Sequence, residues 1–276
     1  MNILISNDDG YTARGLETLV KILRPFGNVT VVAPKYHQSG TSMAINMGFK
    51  PLPAKKLIDK PGEVWYYLDG TPSSCVKFGL DNVMYPVRPD VVVSGINHGA
   101  NYATAALYSA TLGAAKEGAV NGIPAIGVSV DDMRDNADFT AVEALFPEIF
   151  KTLMDNLPGR RGEYYNINFP RLPLEQIKGV GVGHMGMAHW EREYVPYNED
   201  VARRYLEKFG ITNLRPESFS AEEGEELYFM AGDFTDEENA DDADNRLVDA
   251  GYISLSAHNI NDSDFAEIER LRRLFK

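Results

Sequence analysis

Over the first 130 residues, short unbroken apolar runs alternate with stretches whose apolar positions recur every three or four residues. Residues 2–6, Asn-Ile-Leu-Ile-Ser, form a run of the kind found in parallel strands buried on both faces. Residues 15–26 carry Leu16, Leu19, Val20 and Leu23 at helical spacing, and Gly27 supplies a stop. Residues 29–33 predict a second strand and 34–41 a polar loop. Residues 45–51 and 64–69 predict an antiparallel excursion. Thr71-Pro72 predicts the start of a helix reaching about Met84, with Thr71 as cap and Pro72 in the first turn. Residues 90–94, with three consecutive valines, predict another buried strand. A small-residue helix over 109–121 closed by Gly122, a strand over 124–130 and a long helix over 138–156 follow. Such alternation implies an α/β fold, a parallel sheet with helices on both faces.

The pattern changes after about residue 160. Strands are expected at 164–169, 179–183, 227–231 and 252–256. Between them lie 190–221 and an acidic stretch, 233–244, which reads as a solvated loop because its acids are too numerous for a compact cation cage. In the tail, 262–276, Phe265, Ile268, Leu271 and Leu274 share one helical stripe that covers the body or packs on a second subunit.

Composition adds exclusions. The 276 residues, 44% hydrophobic and 24% charged, suit a globular enzyme that needs neither disulfide nor structural metal to fold. Cys75 stands alone, so an internal disulfide is excluded, and the bland reading is a small apolar residue on a buried helix face. The chain starts directly with a strand and has no long apolar run, so no membrane association and a cytoplasmic location are the expectation. A net charge of −13 disfavours nucleic acid polymers, while small phosphorylated substrates stay open because a metal can reverse the local sign.

The first strand runs straight into Asp8, Asp9 and Gly10. Adjacent acids repel, and their placement at a strand's carboxyl end makes sense if a cation sits between them. Two further loops leaving predicted strands, His37-Gln38-Ser39-Gly40-Thr41 and Ser94 to Asn101, add hydroxyl and amide oxygens. Together these are hard ligands suited to Mg2+, Mn2+ or Ca2+. Tyr108-Ser109-Ala110-Thr111-Leu112-Gly113 opens a helix, where free N–H groups with the Ser109 and Thr111 hydroxyls make either a phosphate cradle or a plain cap. His98 is a candidate acid or contact for a leaving group. Asp131-Asp132 offer a second acidic pair for a covalent mechanism on Asp8, but that chemistry expects Asp-x-Asp after the first strand, not adjacent acids.

These residues also carry a resemblance. Asn7-Asp8-Asp9-Gly10, Ser39-Gly40-Thr41, Leu68-Asp69-Gly70-Thr71-Pro72 and Ser94-Gly95-Ile96-Asn97 with Gly99 and Asn101 resemble the SurE family, the stationary-phase survival proteins. Tyr108-Ser109 with Thr111 and Gly113, Asn166-Ile167-Asn168-Phe169-Pro170, and Asp244 followed by Gly251-Tyr252-Ile253-Ser254 extend the match in order. The resemblance implies a metal-dependent 5'-nucleotidase acting on nucleoside 5'-monophosphates, and in some members on 3'-nucleotides and short polyphosphate. It implies a Rossmann-like core over 1–160, and a part over 161–276 that completes the core and projects elements for a homodimer or homotetramer. One divalent cation per subunit, Mg2+ or Mn2+, is implied at Asp8, Asp9, Ser39 and Asn97, with Asp8, Asp9 and Asn97 catalytic. Asn101, Ser109 and Thr111 are implied to line the phosphate pocket. Ala110 departs from the glycine usual in the family.

Overall fold

The computed structural model describes residues 1–134, 136–210, 220–237 and 240–275. In chain order the first half comprises β1 (Asn2–Ser6), α1 (Arg14–Leu23), β2 (Asn28–Pro34), β3 (Ala54–Lys60), β4 (Glu63–Leu68), α2 (Pro72–Phe78), β5 (Val91–His98), α3 (Ala105–Tyr108), α4 (Ala110–Val120), β6 (Ala125–Val130) and α5 (Thr140–Asp155). The second comprises β7 (Glu163–Phe169), β8 (Val180–Gly183), β9 (His189–Glu191), β10 (Tyr194–Pro196), α6 (Glu199–Phe209), β11 (Tyr228–Met230), β12 (Asp233–Thr235), α7 (Asp244–Asp249), β13 (Ile253–Asn259) and α8 (Phe265–Leu274).

Among the described residues, nine strands form one sheet in the order β3-β4-β2-β1-β5-β6-β7-β13-β8. The run from β4 to β7 is parallel throughout. At the margins β3 runs antiparallel to β4, and β13 antiparallel to β7. The expected α/β architecture is therefore the one observed. The apolar runs bury both faces: Ile3, Ile5, Val91 and Val93 pack with Leu16, Leu19, Phe146 and Phe150 of α1 and α5. Leu4, Val32 and Val92 face Cys75, Val76, Leu112 and Ala115 of α2 and α4. Each large side chain buried in this way contributes about 1.5–3 kcal/mol, which holds the strand ends in a fixed row.

Two expectations are corrected, the strand over 45–51 and the wholly solvated acidic stretch. Residues 45–51 are not a strand: Gly48, Pro51 and Pro53 interrupt the run, and its apolar side chains, Phe49 above all at 97% exposure, stand in solvent. The antiparallel partner of β4 is instead β3, a lysine-bearing strand at the sheet edge whose charges discourage further pairing. The helix expected over 15–26 is present, as α helix to Leu23 and as a 3-10 turn over Arg24–Phe26, where Pro25 offers no N–H. The acidic stretch is not wholly a solvated loop: it contains β12 and ends in Asp244, which is fully buried. Its residues 238 and 239 lie outside the described residues, as do 211–219 of the segment 190–221. The predicted caps are present, with Thr71 Oγ1 accepting the Ser74 N–H at 3.3 Å and Ser109 Oγ the Leu112 N–H at 3.1 Å. Cys75 is buried in α2, and burial pushes its thiol pKa up.

Candidate metal and phosphate site

The chain leaves β1 toward β2 on one side and returns to β5 on the other, so the switch point of the sheet lies at β1. Ligands of open parallel sheets bind outside the strands' carboxyl ends at such a point. Asp8 and Asp9 follow β1 there, the loop with His37 and Ser39 follows β2, and Asn97 ends β5. The Gln38 N–H donates to the Asp8 carbonyl oxygen at 2.8 Å and ties the first two loops together. Asn7, buried beside them, donates Nδ2 to the Gly10 carbonyl at 3.0 Å and shapes the turn, with Gly10 at φ 100°.

Asp8 is 4% exposed, and its Oδ1 accepts the hydroxyl proton of Thr111 at the start of α4. Burial first, then repulsion from Asp9, pushes the Asp8 pKa up to about 6, against the pull of Thr111 and His37. Asp9 Oδ1 lies 3.4 Å from His37 Nδ1, and this contact raises the imidazole pKa. The other Asp9 oxygen, Oδ2, is buried without a hydrogen-bond partner, as is Asn7 Oδ1. A buried carboxylate beside a half-buried one with an orphaned oxygen fits a divalent cation: the charge they lack is the charge it brings. The register of β5 slips against β6 between Gly95 and Asn97. At Gly95, φ 132°, a Cβ would lie 2.2 Å from the Val128 carbonyl oxygen, so only glycine admits this irregularity. Beyond it Asn97 donates Nδ2 to the carbonyls of Gly99 at 2.7 Å and His98 at 3.2 Å, which leaves Oδ1 as its available ligand atom. Ser39 is exposed in the turn directly after Gln38.

Of the phosphate candidates, Ser109 caps α4, leaving the N–H groups of Ala110 and Thr111 without intrahelical partners. Ala110 is buried and already helical, so the departure from glycine carries no backbone penalty. Ser42 fastens the β2 loop to this cradle, its N–H donating to the Tyr108 carbonyl at 3.0 Å and its hydroxyl to that of Leu107 at 2.8 Å. Asn101 is held from below by a polar network on β6 and β7. Its N–H donates to Asn168 Oδ1 at 2.7 Å, its Nδ2 to Ser129 Oγ at 2.8 Å, and its carbonyl accepts from Asn166 Nδ2 at 2.7 Å.

Some expectations of role change with the geometry. Thr111 reaches the carboxylate pair directly, a contact spanning 103 positions that no local pattern reveals. His98 stacks on Phe139, with centroids 5.3 Å apart and planes 13° from parallel, on the α1–α5 face of the sheet and away from α4. Asp132 is bound by Arg134 at 2.6 Å, so the second acidic pair is not presented for covalent chemistry. The sequence alone assigns no role to His37, Ser129, Asn166, Asn168 or Asp244, although the alternation of Asn166 and Asn168 along one strand places both on one face.

A family model described as Survival protein SurE matches residues 3–192. The chain belongs to the SurE family. Among similar members, the 5'-nucleotidase SurE of Cytophaga hutchinsonii is 35% identical, over 92% of this chain and 88% of its own. The 5'-nucleotidase SurE of Petrotoga mobilis is 34% identical, over 99% and 98%. The 5'/3'-nucleotidase SurE of Proteus mirabilis is 32% identical, over 99% and 95%. The crystal structure of the SurE protein from Aquifex aeolicus superposes with a TM-score of 0.78 at 27% identity, covering both chains fully.

Proposed function

We propose that the chain is a 5'-nucleotidase of the SurE family that hydrolyses nucleoside 5'-monophosphates to nucleoside and phosphate in a divalent-metal-dependent reaction. The mutually repelling pair at the β1 switch point, Asp8 buried and Asp9 half-buried beside it, with Thr111 of the α4 cradle hydrogen-bonded to Asp8, is the observation that carries this reading. The names of the relatives support the nucleotide substrate, and that of the Proteus mirabilis relative extends it to 3'-nucleotides. Short polyphosphate is a further proposed substrate, resting on the family resemblance alone.

Asp8, Asp9, Ser39 and the Asn97 side-chain oxygen would hold one cation, Mg2+ or Mn2+. When bound, it supplies positive charge against the oxygens of the transferred phosphoryl group. The chain's own groups do the rest. The Ala110 and Thr111 N–H groups, the Ser109 hydroxyl and Asn101 hold and orient the phosphoryl oxygens. A carboxylate of the pair, Asp8 or Asp9, accepts the proton of the attacking water, and the departing nucleoside oxygen takes up a proton from solvent.

No helix among the described residues is long and apolar enough to cross a membrane. A cytoplasmic location and a homodimer or homotetramer complete the proposal. Helix α8 supports assembly: it buries none of its residues, and Phe265 and Leu274 are 65% and 64% exposed. Light scattering on the purified chain tests the oligomer. The activity is tested by phosphate release from 5'- and 3'-mononucleotides and short polyphosphate with Mg2+, Mn2+ or EDTA. Release from a nucleotide that EDTA abolishes supports the reading, and silence with every cation overturns it.

A further inference from the structure

The segment from Gly99 to Thr104 joins β5 to α3, carries Asn101, and is anchored on two sides. Beneath it lies the Ser129, Asn166 and Asn168 network. On its other side stands Asp244, 141 positions away in the chain and fully buried. Asp244 Oδ1 accepts the Ala103 N–H at 2.9 Å, and also those of Gly186 and Asn245, each at 2.9 Å. A second strap comes from Thr104, whose N–H and hydroxyl reach the Ala188 carbonyl at 3.2 and 2.8 Å. The base of the clamp is itself stitched: His184 N–H donates to the Asp242 carbonyl at 3.1 Å and Asp244 N–H to that of His184 at 2.8 Å. Ala103 sits at φ 47°, a conformation that a residue with a Cβ keeps only when its surroundings hold it there.

We propose that Asp244 is a positioning residue for the phosphate site: through the Ala103 N–H its buried carboxylate holds the 99–104 segment, and thereby Asn101, in its working place. The inference rests on the nucleotidase reading, in which Asn101 serves the phosphate. Asp244 touches none of the proposed ligands and acts through the segment alone. Three N–H groups on one carboxyl oxygen in a buried setting make a geometrically narrow anchor. Because Oδ2 has no partner, all of this bonding passes through Oδ1. An asparagine carbonyl can take that place, whereas alanine leaves three buried donors without an acceptor.

The test compares Asp244→Ala, Asp244→Asn, Asn101→Ala and the Asp244→Ala/Asn101→Ala double variant by amide hydrogen exchange, Mn2+ titration and phosphate-release kinetics. In Asp244→Ala, exchange over 99–104 is expected to accelerate while β1 and β5 keep their protection. Its kcat/KM is expected to fall about 10- to 100-fold, the scale on which outer partners of a site act. Mn2+ affinity is expected to stay unchanged, and Asp244→Asn to recover most of the loss. Since Asp244 works through Asn101, the double variant should fall no further than Asn101→Ala beyond about twofold. Multiplying losses, or unchanged exchange over 99–104, would overturn the proposal. If the unmodified chain releases no phosphate, the nucleotidase reading fails. The clamp is then read from exchange and from calorimetric titration of inorganic phosphate with Mn2+ present, where equal affinity in Asp244→Ala overturns it. If Asp244→Ala does not fold, Asp244→Ser replaces it, its shorter side chain stopping short of Ala103.

Discussion

Replacing Asp8 with asparagine separates what the acidic pair costs the fold from what it does for the site. Burial and Asp9 raise the Asp8 pKa from 3.8 to about 6. At 1.36 kcal/mol per pH unit this corresponds to about 3 kcal/mol. The folded pKa lies above the unfolded one, so the folded chain binds more protons between those two values. Stability in the absence of cation therefore falls as pH rises through that window, and the loss is complete above it. Asparagine is neutral at every pH and keeps an oxygen for the Thr111 hydroxyl. Without cation at about pH 7, Asp8→Asn is expected to be more stable than the unmodified chain by up to about 3 kcal/mol. For a chain of this size that is a rise of about 5–10 °C in Tm. The gap should shrink toward about pH 4, where the native Asp8 is itself protonated. Saturating Mn2+ should narrow or reverse it, because binding at a hundred times Kd adds about 2.7 kcal/mol to the form that binds. Phosphate release by the variant should fall by orders of magnitude. The assay is thermal unfolding by circular dichroism in EDTA across that pH range, with phosphate release measured in parallel. A cation-free variant no more stable than the unmodified chain at neutral pH, or a gap that ignores pH, would refute the reasoning. So would near-normal turnover.

Two further outcomes follow from contacts around the pair. Thr111→Val keeps the shape of a buried residue but removes the hydroxyl on Asp8, a bond to a charged group on the order of 1.5–3 kcal/mol. The pH midpoint of Mn2+ binding, followed by calorimetry, should therefore move up by about one pH unit or more, and an unmoved midpoint would show that Thr111 does not tune Asp8. Gly15→Ala would put a Cβ 2.1 Å from the Ile96 carbonyl oxygen, backbone against backbone, so α1 must back away from the residue that precedes Asn97. A loss of about 1–3 kcal/mol in urea unfolding is expected, with lowered kcat/KM, and an unchanged unfolding midpoint would contradict it.

Much of the first half is readable without coordinates because each element there is locally consistent. Residues 2–6 and the valines of 91–93 are long enough and apolar enough to be strands buried on both faces, whatever lies beside them. Thr71 and Ser109 cap helices because their hydroxyls reach an N–H three residues on, an interaction contained within one turn. The repulsion between the adjacent acids after β1 is local in the same way, which is why they stand out as a candidate site. Reading fails where the local signal points elsewhere. The apolar run of 45–51 has more strand character than the Lys-rich 54–60, yet the latter pairs with β4, because an edge strand needs a ladder partner more than an apolar face.

The amino-acid sequence by itself therefore determined the α/β class, the caps and which polar residues follow the strand ends, all properties of neighbours along the chain. Only the tertiary structure decided which donors meet. It carries Thr111 onto Asp8, puts His98 on the opposite face from the cradle, and brings Asp244 under Ala103. Those contacts depend on strand order and on which face each helix covers. These are set by the burial of two whole apolar faces at once, a sum over distant residues that no single segment contains.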